Sequence, residues 1–227
     1  MSPAAFVMQL ARGEGYADGP LLPACRLDAG SGESYGVEAI IASFRRAPLA
    51  FAAQDDRIET SRHLALFHFS REDQGSALFA DLHDGRIARL WRLSPRVPAE
   101  VERHISVPFS CDLTREQPSG VHFSPSEHPD LDAGAANHIM NTARMYARSN
   151  APGERTRCFV LRAFSCSDRA AALIACFRSR DEGVRTAGFS YAGAALRFSG
   201  DRLLQSRVIS DSCGEGCNAD SSWTPRL

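Results

Sequence analysis

The sequence offers four candidate side chains for proton transfer: Tyr16, Asp28, His63 and His68. In an apolar setting, a carboxylate such as Asp28 can remove a proton next to a carbonyl group. A phenol such as Tyr16 can donate a hydrogen bond to the enolate that results. Structural roles are the alternatives: Asp28 can cap a turn in the sequence DAGSG, and Tyr16 can be a core tyrosine at the end of a first helix.

The two histidines are separated by an odd number of positions, so in one strand they point to opposite faces. They therefore cannot hold a metal together from that strand, and no metal site is predicted. One histidine could act as an acid or base while the other lies at the interface that covers the sheet. Alternatively, each could be an imidazole that is hydrogen-bonded in the core or exposed to solvent. Asp81 could supply a second carboxylic acid, but its position beside the Asp84-Gly85 turn predicts an edge of the sheet.

The composition removes several classes of chemistry. All 26 basic residues are arginine, so a lysine Schiff base and a catalytic lysine amine are excluded. The formal net charge is -1, which gives no global basic field for nucleic acid or an anionic membrane. The sequence contains no Walker A loop, no Gly-x-Gly-x-x-Gly and no His-Glu-x-x-His. Nucleotide-binding and zinc-protease functions lose their main support, and no cofactor is expected.

The seven cysteines are odd in number, and most lie in apolar stretches, which is typical of buried free thiols in a reducing compartment. The sequence also lacks a run of ~18 apolar residues and a basic segment before its first apolar patch. These features predict a cytoplasmic protein. Cys213 and Cys217 form a CxxxC pair without a second pair or a nearby histidine, so a tail disulfide or two free thiols is favoured over zinc.

Periodicity predicts the elements that position these residues. Apolar residues at helical spacing predict helices from Ser2 onward, over 36–47 and over 133–149, whereas Pro23 leaves room only for a brief helix or turn in 19–27. Asp84-Gly85 predicts a hairpin. Apolar and aromatic stretches predict strands within 49–59 and at 61–70, 76–82, 86–93, 157–166, 170–179, 186–198 and 202–210.

Two of these strands are apolar on both faces, at 64–69 and 171–177. An antiparallel sheet normally leaves one face to solvent and alternates accordingly. We therefore expect helices to cover one face of the sheet, and either the other half of the chain or another subunit to cover the second face.

The order of helix, strands and closing hairpin occurs twice, which predicts a domain at 1–95 and a second, divergent domain at 96–210. The likeness is strongest between ALFADLHDGRIARLWRL and GAALRFSGDRLLQSRVI. Prolines within 94–128 are typical of a linker, and the tail 211–227 is rich in Gly, Ser, Asp and Cys, which predicts a flexible terminus. Any antiparallel meander could produce a similar order, so chance remains the alternative to duplication.

The stretch YADGPLLPACRLDAGSGESYGVEAIIASFRRA resembles the amino-terminal signature of SnoaL-like and ketosteroid isomerase-like proteins of the nuclear transport factor two-like superfamily. In that signature a first helix ends at a Gly-Asp-type turn, a short second helix leads to an acidic loop, and Gly-x-Glu-Ala-Ile opens the third helix. The matching pieces are Tyr16, Ala17-Asp18-Gly19, Leu27-Asp28 and Gly36-Val37-Glu38-Ala39-Ile40. The likeness covers 6–93, with the hairpin HDGRIARLWRL at its end, and extends to 133–210 through element order alone.

The resemblance implies an α+β fold of two cone-shaped domains, each a curled antiparallel sheet wrapped around helices with an apolar pocket between them. Asp28 then corresponds to the general base of the isomerases and Tyr16 to their oxyanion donor, although Tyr16 lies nearer the turn. Isomerases, cyclases, dehydratases and non-catalytic proteins all occur on this fold. Two functions are expected: acid–base chemistry without a cofactor on a small apolar ligand, or a non-catalytic module. In the second case the sheets form an interface within the chain or between subunits of a homodimer.

Overall fold

A computed structural model of the chain describes residues 2–29, 32–52, 56–69, 75–94, 120–148, 154–180, 188–200 and 202–210. These residues form an α+β fold with three α-helices and two β-sheets. The segment 95–119 and the tail 211–227, with Cys213 and Cys217, lie outside the described residues, so the linker and the tail stay predictions. Within the described part, no helix has both the length and the apolarity to cross a membrane.

The predicted helices and most predicted strands are confirmed within a few residues. The helices are α1 (Pro3–Ala11), α2 (Val37–Arg46) and α3 (Ala133–Arg148), with a 3-10 turn at Pro125–Glu127. The strands of the first half are β1 (Leu21–Ala29), β2 (Gly32–Tyr35), β3 (Asp56–Glu59), β4 (His63–His68), β5 (Ser76–His83) and β6 (Arg86–Leu93). Those of the second half are β7 (Gly120–His122), β8 (Glu154–Cys166), β9 (Arg169–Arg180), β10 (Gly188–Ser199) and β11 (Arg202–Ser210).

Local chemistry explains where α1 begins and where β5 turns into β6. The Ser2 hydroxyl accepts a hydrogen bond from the Ala5 backbone N–H at 3.3 Å, and Pro3 occupies the first turn, where its missing N–H costs nothing. Asp84 and Gly85 have φ angles of 50° and 72°. This left-handed pair is the conformation that a two-residue hairpin turn requires, so the predicted hairpin is confirmed.

Each half contributes one sheet. Sheet A has the strand order β2-β1-β6-β5-β4-β3, and its neighbouring strands are antiparallel except for β1 and β6, which are parallel. Sheet B has the order β11-β10-β9-β8-β7, with β7 and β8 as its parallel pair. A helix followed by a four-stranded antiparallel meander is therefore common to both halves.

The described residues stack in four layers: helices α1 and α2, sheet A, sheet B and helix α3. One buried cluster joins α1 and α2 to sheet A, and another joins α3 to sheet B. The third cluster lies between the sheets and contains Ile58, Ala65, Phe67, Ala77, Phe79, Trp91 and Leu93 of sheet A with Phe164, Ala171, Leu173, Ala195 and Ile209 of sheet B. Apolar burial of this kind contributes about 25 cal/mol per Å² of covered surface.

The sheet-on-sheet contact accounts for the strands that are apolar on both faces. In β4, Leu64 and Leu66 pack towards the helices while Ala65 and Phe67 pack towards sheet B. The expectation of cover on both faces is confirmed, and the second cover is the other half of the same chain. The cone shape of each half and the domain boundary at residue 95 stay predictions.

The prediction of a brief helix or turn in 19–27 is wrong, because this segment forms most of strand β1. Pro23 has no N–H to give to a sheet ladder, which argued against a strand. The structure resolves this conflict with an irregularity: the register between β1 and β6 shifts between Leu21 and Arg26, and Pro23 lies in that stretch. The acidic loop expected around Asp28 is likewise a strand.

The placement of Asp81 at a sheet edge is also wrong. Asp81 lies in β5, which has β6 on one side and β4 on the other, opposite His63 and Arg89. Nearness to a turn along the chain does not make a strand an edge strand, because the edge is set by which strands pair on either side. Asp81 is therefore inside sheet A, on the side that meets sheet B.

The described cysteines predict a labelling pattern. Cys25, Cys158 and Cys176 are buried, whereas Cys166 is exposed. Burial raises the pKa of the Cys25 thiol from 9.0 to about 12, and this outweighs the opposing effect of its contact with the Arg26 carbonyl. At pH 8, iodoacetamide should label Cys166 and leave Cys25 unmodified until the chain is unfolded, since the thiolate is the reactive form. Peptide mapping by mass spectrometry checks this, and rapid native labelling of Cys25 would contradict the burial of β1.

Candidate functional site

Asp28 lies on the face of sheet A that points away from the helices. Along β1, Cys25 and Leu27 face the helices, so Arg26 and Asp28 face the other way. Asp28 is 2% exposed, and both of its oxygens are held by guanidinium groups. Arg26 donates to Oδ1 from Nε at 3.1 Å and from Nη2 at 2.9 Å, and Arg89 Nε donates to Oδ2 at 2.8 Å.

The Asp28 cluster, defined as Arg26, Asp28, Glu33 and Arg89, extends to the edge of sheet A. Arg26 Nη2 also donates to Glu33, and the Tyr35 hydroxyl donates to the same carboxylate. The pKa of Arg26 is raised, because the attraction of Asp28 and Glu33 outweighs the burial that would lower it. The cluster is a chain of alternating charges in which the Asp28 carboxylate is already neutralised twice.

Tyr16 does not approach Asp28. It lies between α1 and β1, packs edge-on against Phe6 with ring centroids 5.4 Å apart, and is 39% exposed. Phe6 belongs to the cluster between the helices and sheet A, so Tyr16 and Asp28 lie on opposite faces of the sheet. The structure does not bring together the base and the oxyanion donor that the resemblance implies.

The layer between the helices and sheet A, where the resemblance implies an apolar pocket, is occupied by packed side chains. Phe6, Leu10 and Phe44 of the helices and Leu64 and Leu78 of the sheet have no exposed surface. Every buried residue of this cluster is at most 5% exposed. Asp28, His63, Asp81 and Arg89 lie on the other face of the sheet, whereas the Arg92 guanidinium reaches the helix side, 5.2 Å from the ring centroid of Phe44.

His63 and His68 occupy opposite faces of β4, as their spacing predicts. His68 points to the helix side, where its ring lies 6.4 Å from that of Phe51. His63 points to sheet B, where its imidazole stacks on Phe164 with centroids 5.2 Å apart. Of the two, His63 is therefore the one that meets residues of the second half.

Charged side chains of the two halves pair with each other in the interhalf cluster, which is defined as His63, Asp81, Asp130 and Arg162. Arg162 of β8 donates to Asp81 from Nε at 2.8 and 3.0 Å and from Nη2 at 2.7 Å. Nδ1 of His63 lies 3.1 Å from Oδ1 of Asp81. On the other side of the imidazole, Nε2 is 3.9 Å from Asp130, which also accepts a hydrogen bond from the Thr60 hydroxyl at 2.8 Å.

Burial and pairing act in opposite directions on Asp81. Burial alone would raise the pKa of this carboxyl, but the hydrogen bonds from His63 and Arg162 and their charges lower it below its ordinary value. The carboxylate is therefore stabilised in its charged form, and the guanidinium that does so comes from the opposite sheet. A bidentate arginine–carboxylate pair of this geometry is stronger and more directional than a simple ion pair.

Trp91 lies between the two clusters on the same face of sheet A. The Arg89 guanidinium is 4.5 Å and the Arg162 guanidinium 5.1 Å from its ring centroid, distances at which cations are attracted to the π face. Trp91 is 1% exposed. The charged residues of both halves and this indole therefore form one continuous band across the covered face.

His128 stands beside the interhalf cluster and is buried. Burial lowers its pKa below 6.5, and the positive charge of Arg162 lowers it further. Protonation of His128 therefore destabilises the folded state. The contribution of neutral His128 to the free energy of unfolding is fully present above pH 6.5 and is lost as the pH falls through the folded-state pKa. An NMR titration of the imidazole C–H signals should place His128 below 6.5, and Arg162→Met should move it upward. A value at or above 6.5 in the native protein would contradict this environment.

A glycine–serine–glycine pattern occupies β2 and the turn into α2. Residues 32–36 read Gly-Glu-Ser-Tyr-Gly, the spacing that presents a nucleophilic serine at a strand-to-helix turn in α/β-hydrolases. Here Ser34 lies within β2 and pairs with Leu27, while the residue at the turn into α2 is Gly36, with φ 82°. Among the described contacts, none joins Ser34 to a histidine. The pattern is present without the geometry of a nucleophile.

Five residues of the two clusters were not predicted from the sequence: Arg26, Arg89, Glu33, Asp130 and Arg162. Period-two alternation carries the signal for the first two, because it places Arg26 on the face opposite Leu27 and Arg89 on the face opposite Leu90. Arg162 is a cation inside the apolar strand RCFVLRAFSC, a placement that calls for a buried partner. Asp130 has no comparable local signal.

The arrangement of these side chains suits holding the strands and the two halves together better than it suits proton transfer. A histidine fixed by a carboxylate is how a general base is oriented, and His63 has such a partner in Asp81. Both oxygens of Asp81, however, accept hydrogen bonds from Arg162, and both oxygens of Asp28 accept hydrogen bonds from arginines. Among the described residues, no group of three or more His, Cys, Asp or Glu side chains could hold a metal ion.

Comparisons with protein-family models, curated proteins and solved structures found no match to this chain.

Proposed function

We propose that the chain is a non-catalytic association module of SnoaL-like type, a pseudo-dimer within one chain, in which the second half serves as a fixed cover for the sheet of the first. The observation that carries this proposal is the bidentate Asp81–Arg162 pair at the rim of the apolar layer between the sheets. The apolar layer supplies the association energy and the ion pair sets the orientation of the halves. We place the protein in the cytoplasm, where its buried thiols stay reduced.

The proposal also accounts for the carboxylates. A general base must be free to accept a proton at a substrate carbon. Asp28 and Asp81 are instead each paired with arginine side chains on the covered face of sheet A. The alternative function, isomerase-type chemistry on a small apolar ligand, would require Asp28 to leave these partners.

Turnover separates the two functions. We expect the wild-type protein to show no turnover of a panel of enolisable ketones and polyketide-like ligands. We also expect Asp28→Asn to lower the free energy of unfolding by about 1–2 kcal/mol, because it weakens charge-assisted hydrogen bonds. Glu33→Gln is the matched control, a nearby carboxylate in the same cluster. Turnover that Asp28→Asn abolishes and Glu33→Gln retains would overturn the proposal in favour of the isomerase.

The oligomeric state tests the cover directly. Because each sheet already faces the other, we expect light scattering to give the mass of one chain, 24.7 kDa. Phe79 and Trp91, which are buried within the chain, should show no concentration-dependent change in environment. A dimer that buries the faces of sheets A and B between subunits would contradict the intrachain arrangement.

A further inference from the structure

Beside the edge strand β3 of sheet A, the inner face of sheet B carries three arginines. A shallow, open cleft of about 50 Å³ forms there. Its charged lining is Asp56 of β3, Arg169 of β9, Arg197 of β10 and Arg207 of β11. Its apolar lining comes from Ile58, Ala195 and Leu196. The cleft exists because the sheets are packed face to face, and it does not depend on whether the protein is catalytic.

The arginines of the cleft stand in neighbouring positions on adjacent strands. Arg169 pairs directly with Arg197 across β9 and β10, and Arg197 pairs with Gln205 across β10 and β11. Arg207 lies opposite Ala195, one pair further along the same face. Like charges directly opposite each other destabilise a sheet. An anion placed between them removes this repulsion, so the row is suited to binding one.

The fixed contacts leave the cleft with an excess of positive charge. Arg169 Nη1 lies 3.3 Å from Asp56, and Arg197 Nε lies 3.2 Å from Asp168, a residue with an exposed carboxylate. Arg207 stacks over Phe69 at 4.8 Å. In the amide orientation that satisfies both groups, the Gln205 oxygen accepts hydrogen bonds from Arg207 at 2.9 and 3.2 Å. Among the described residues, no carboxylate lies within ion-pair distance of Arg207.

These contacts pre-orient the guanidinium groups without neutralising all of them. The side chains of Arg169 and Arg197 are 40% and 57% exposed, so a ligand can reach them. Guanidinium groups bind carboxylates and phosphates through paired, charge-assisted hydrogen bonds.

We propose that this cleft binds the oxyanion group, a carboxylate or phosphate, of a small organic molecule. The guanidinium groups of Arg197 and Arg207 hold the oxyanion from sheet B. Asp56 opposes binding through its own charge and limits the affinity. The occupant is a small molecule and not a nucleic acid, because the cleft is small and the net charge of the chain is -1.

The test is an NMR titration of the full chain with phenyl phosphate, phenylacetate and the neutral 2-phenylethanol. We expect at least one anion to bind and to shift the backbone amides of Ala195 and Arg197, with no binding of the alcohol at the same concentrations. Arg197→Gln should weaken binding about tenfold, the loss of one charge-assisted pair. Asp56→Asn should strengthen it about threefold, since it removes a repelling charge. The two anions distinguish a phosphate site from a carboxylate site.

Arg57→Gln is the matched control, because Arg57 is an exposed arginine on the opposite face of the same edge strand, next to Glu59. It should leave the affinity unchanged. The proposal is overturned if neither anion binds at about 10 mM, an affinity weaker than about -2.7 kcal/mol. It is also overturned if the alcohol binds as well as the anions, or if Arg197→Gln and Arg57→Gln have equal effects. Unchanged amide spectra of each variant away from the cleft show that the fold is retained.

Discussion

Phe79→Ala is expected to lower the free energy of unfolding by about 4 kcal/mol, the range found for large aromatic residues in a core. Phe79 is 1% exposed and lies in the layer between the sheets. Its ring packs edge-on against Phe67 at 5.4 Å and Phe164 at 6.5 Å, so it touches aromatic side chains of both halves. Gly193 of sheet B leaves space for it: a Cβ there would lie 2.9 Å from Cε2 of Phe79.

Urea unfolding followed by circular dichroism measures this effect. Leu204→Ala is the control, because Leu204 is 43% exposed on β11, and it should cost less than about 0.5 kcal/mol. The large loss of stability on Phe79→Ala arises because the two hydrogen-bonded sheets cannot move together to fill the cavity that the missing ring leaves. Equal effects of the two substitutions would mean that the sheets do not pack on each other in solution.

Arg162→Met is expected to lower the free energy of unfolding by about 2–3 kcal/mol. The substitution keeps much of the side-chain volume but leaves the half-buried Asp81 with His63 as its remaining described charge partner. Breaking a fully buried ion pair costs about 3–5 kcal/mol, and the 33% exposure of Arg162 reduces that figure. Arg57→Met is the control, an exposed arginine in an exposed pair with Glu59, and should cost less than about 0.5 kcal/mol.

The same pair predicts an acid dependence. The folded-state pKa of Asp81 is below its ordinary value of 3.8, so its contribution to stability is present above pH ~4 and is lost as the pH falls through the folded-state pKa. The stability difference between wild type and Arg162→Met should therefore shrink below pH ~4. Urea unfolding at pH 7, 5 and 3 checks this. A difference that stays constant down to pH 3 would mean that Arg162 acts through packing and not through the Asp81 charge.

Periodicity predicted most of the fold, because the elements in question are long and locally consistent. The spacing of Ile40, Ile41 and Phe44 predicts a helix, and Asp84-Gly85 predicts a hairpin. Both elements are present in the structure. The cover on both faces of sheet A followed from the apolar runs, for a physical reason: such a strand cannot leave either face in water. The order of the strands within the sheets did not follow, since period-two patterns do not specify neighbours.

The candidate site was predicted less well. Asp28 was predicted as a candidate general base, and that role stays a prediction; its expected loop is a strand, and its partners Arg26 and Arg89 were not predicted. Arg26 is local and readable from alternation, whereas Arg89 is brought in by the parallel pairing of β1 with β6. Asp81 and Arg162 meet only because the two sheets pack together, and no local pattern reports that contact.

The coupling energy between Asp81 and Arg162 tests the central claim most directly, because these residues belong to different halves. A double-mutant cycle with Asp81→Asn, Arg162→Met and the double variant isolates their interaction from other effects of each substitution. We predict a coupling energy of about 1–2 kcal/mol at pH 7, which would show that the halves are held face to face as one unit. A coupling energy within about 0.3 kcal/mol of zero would contradict the account.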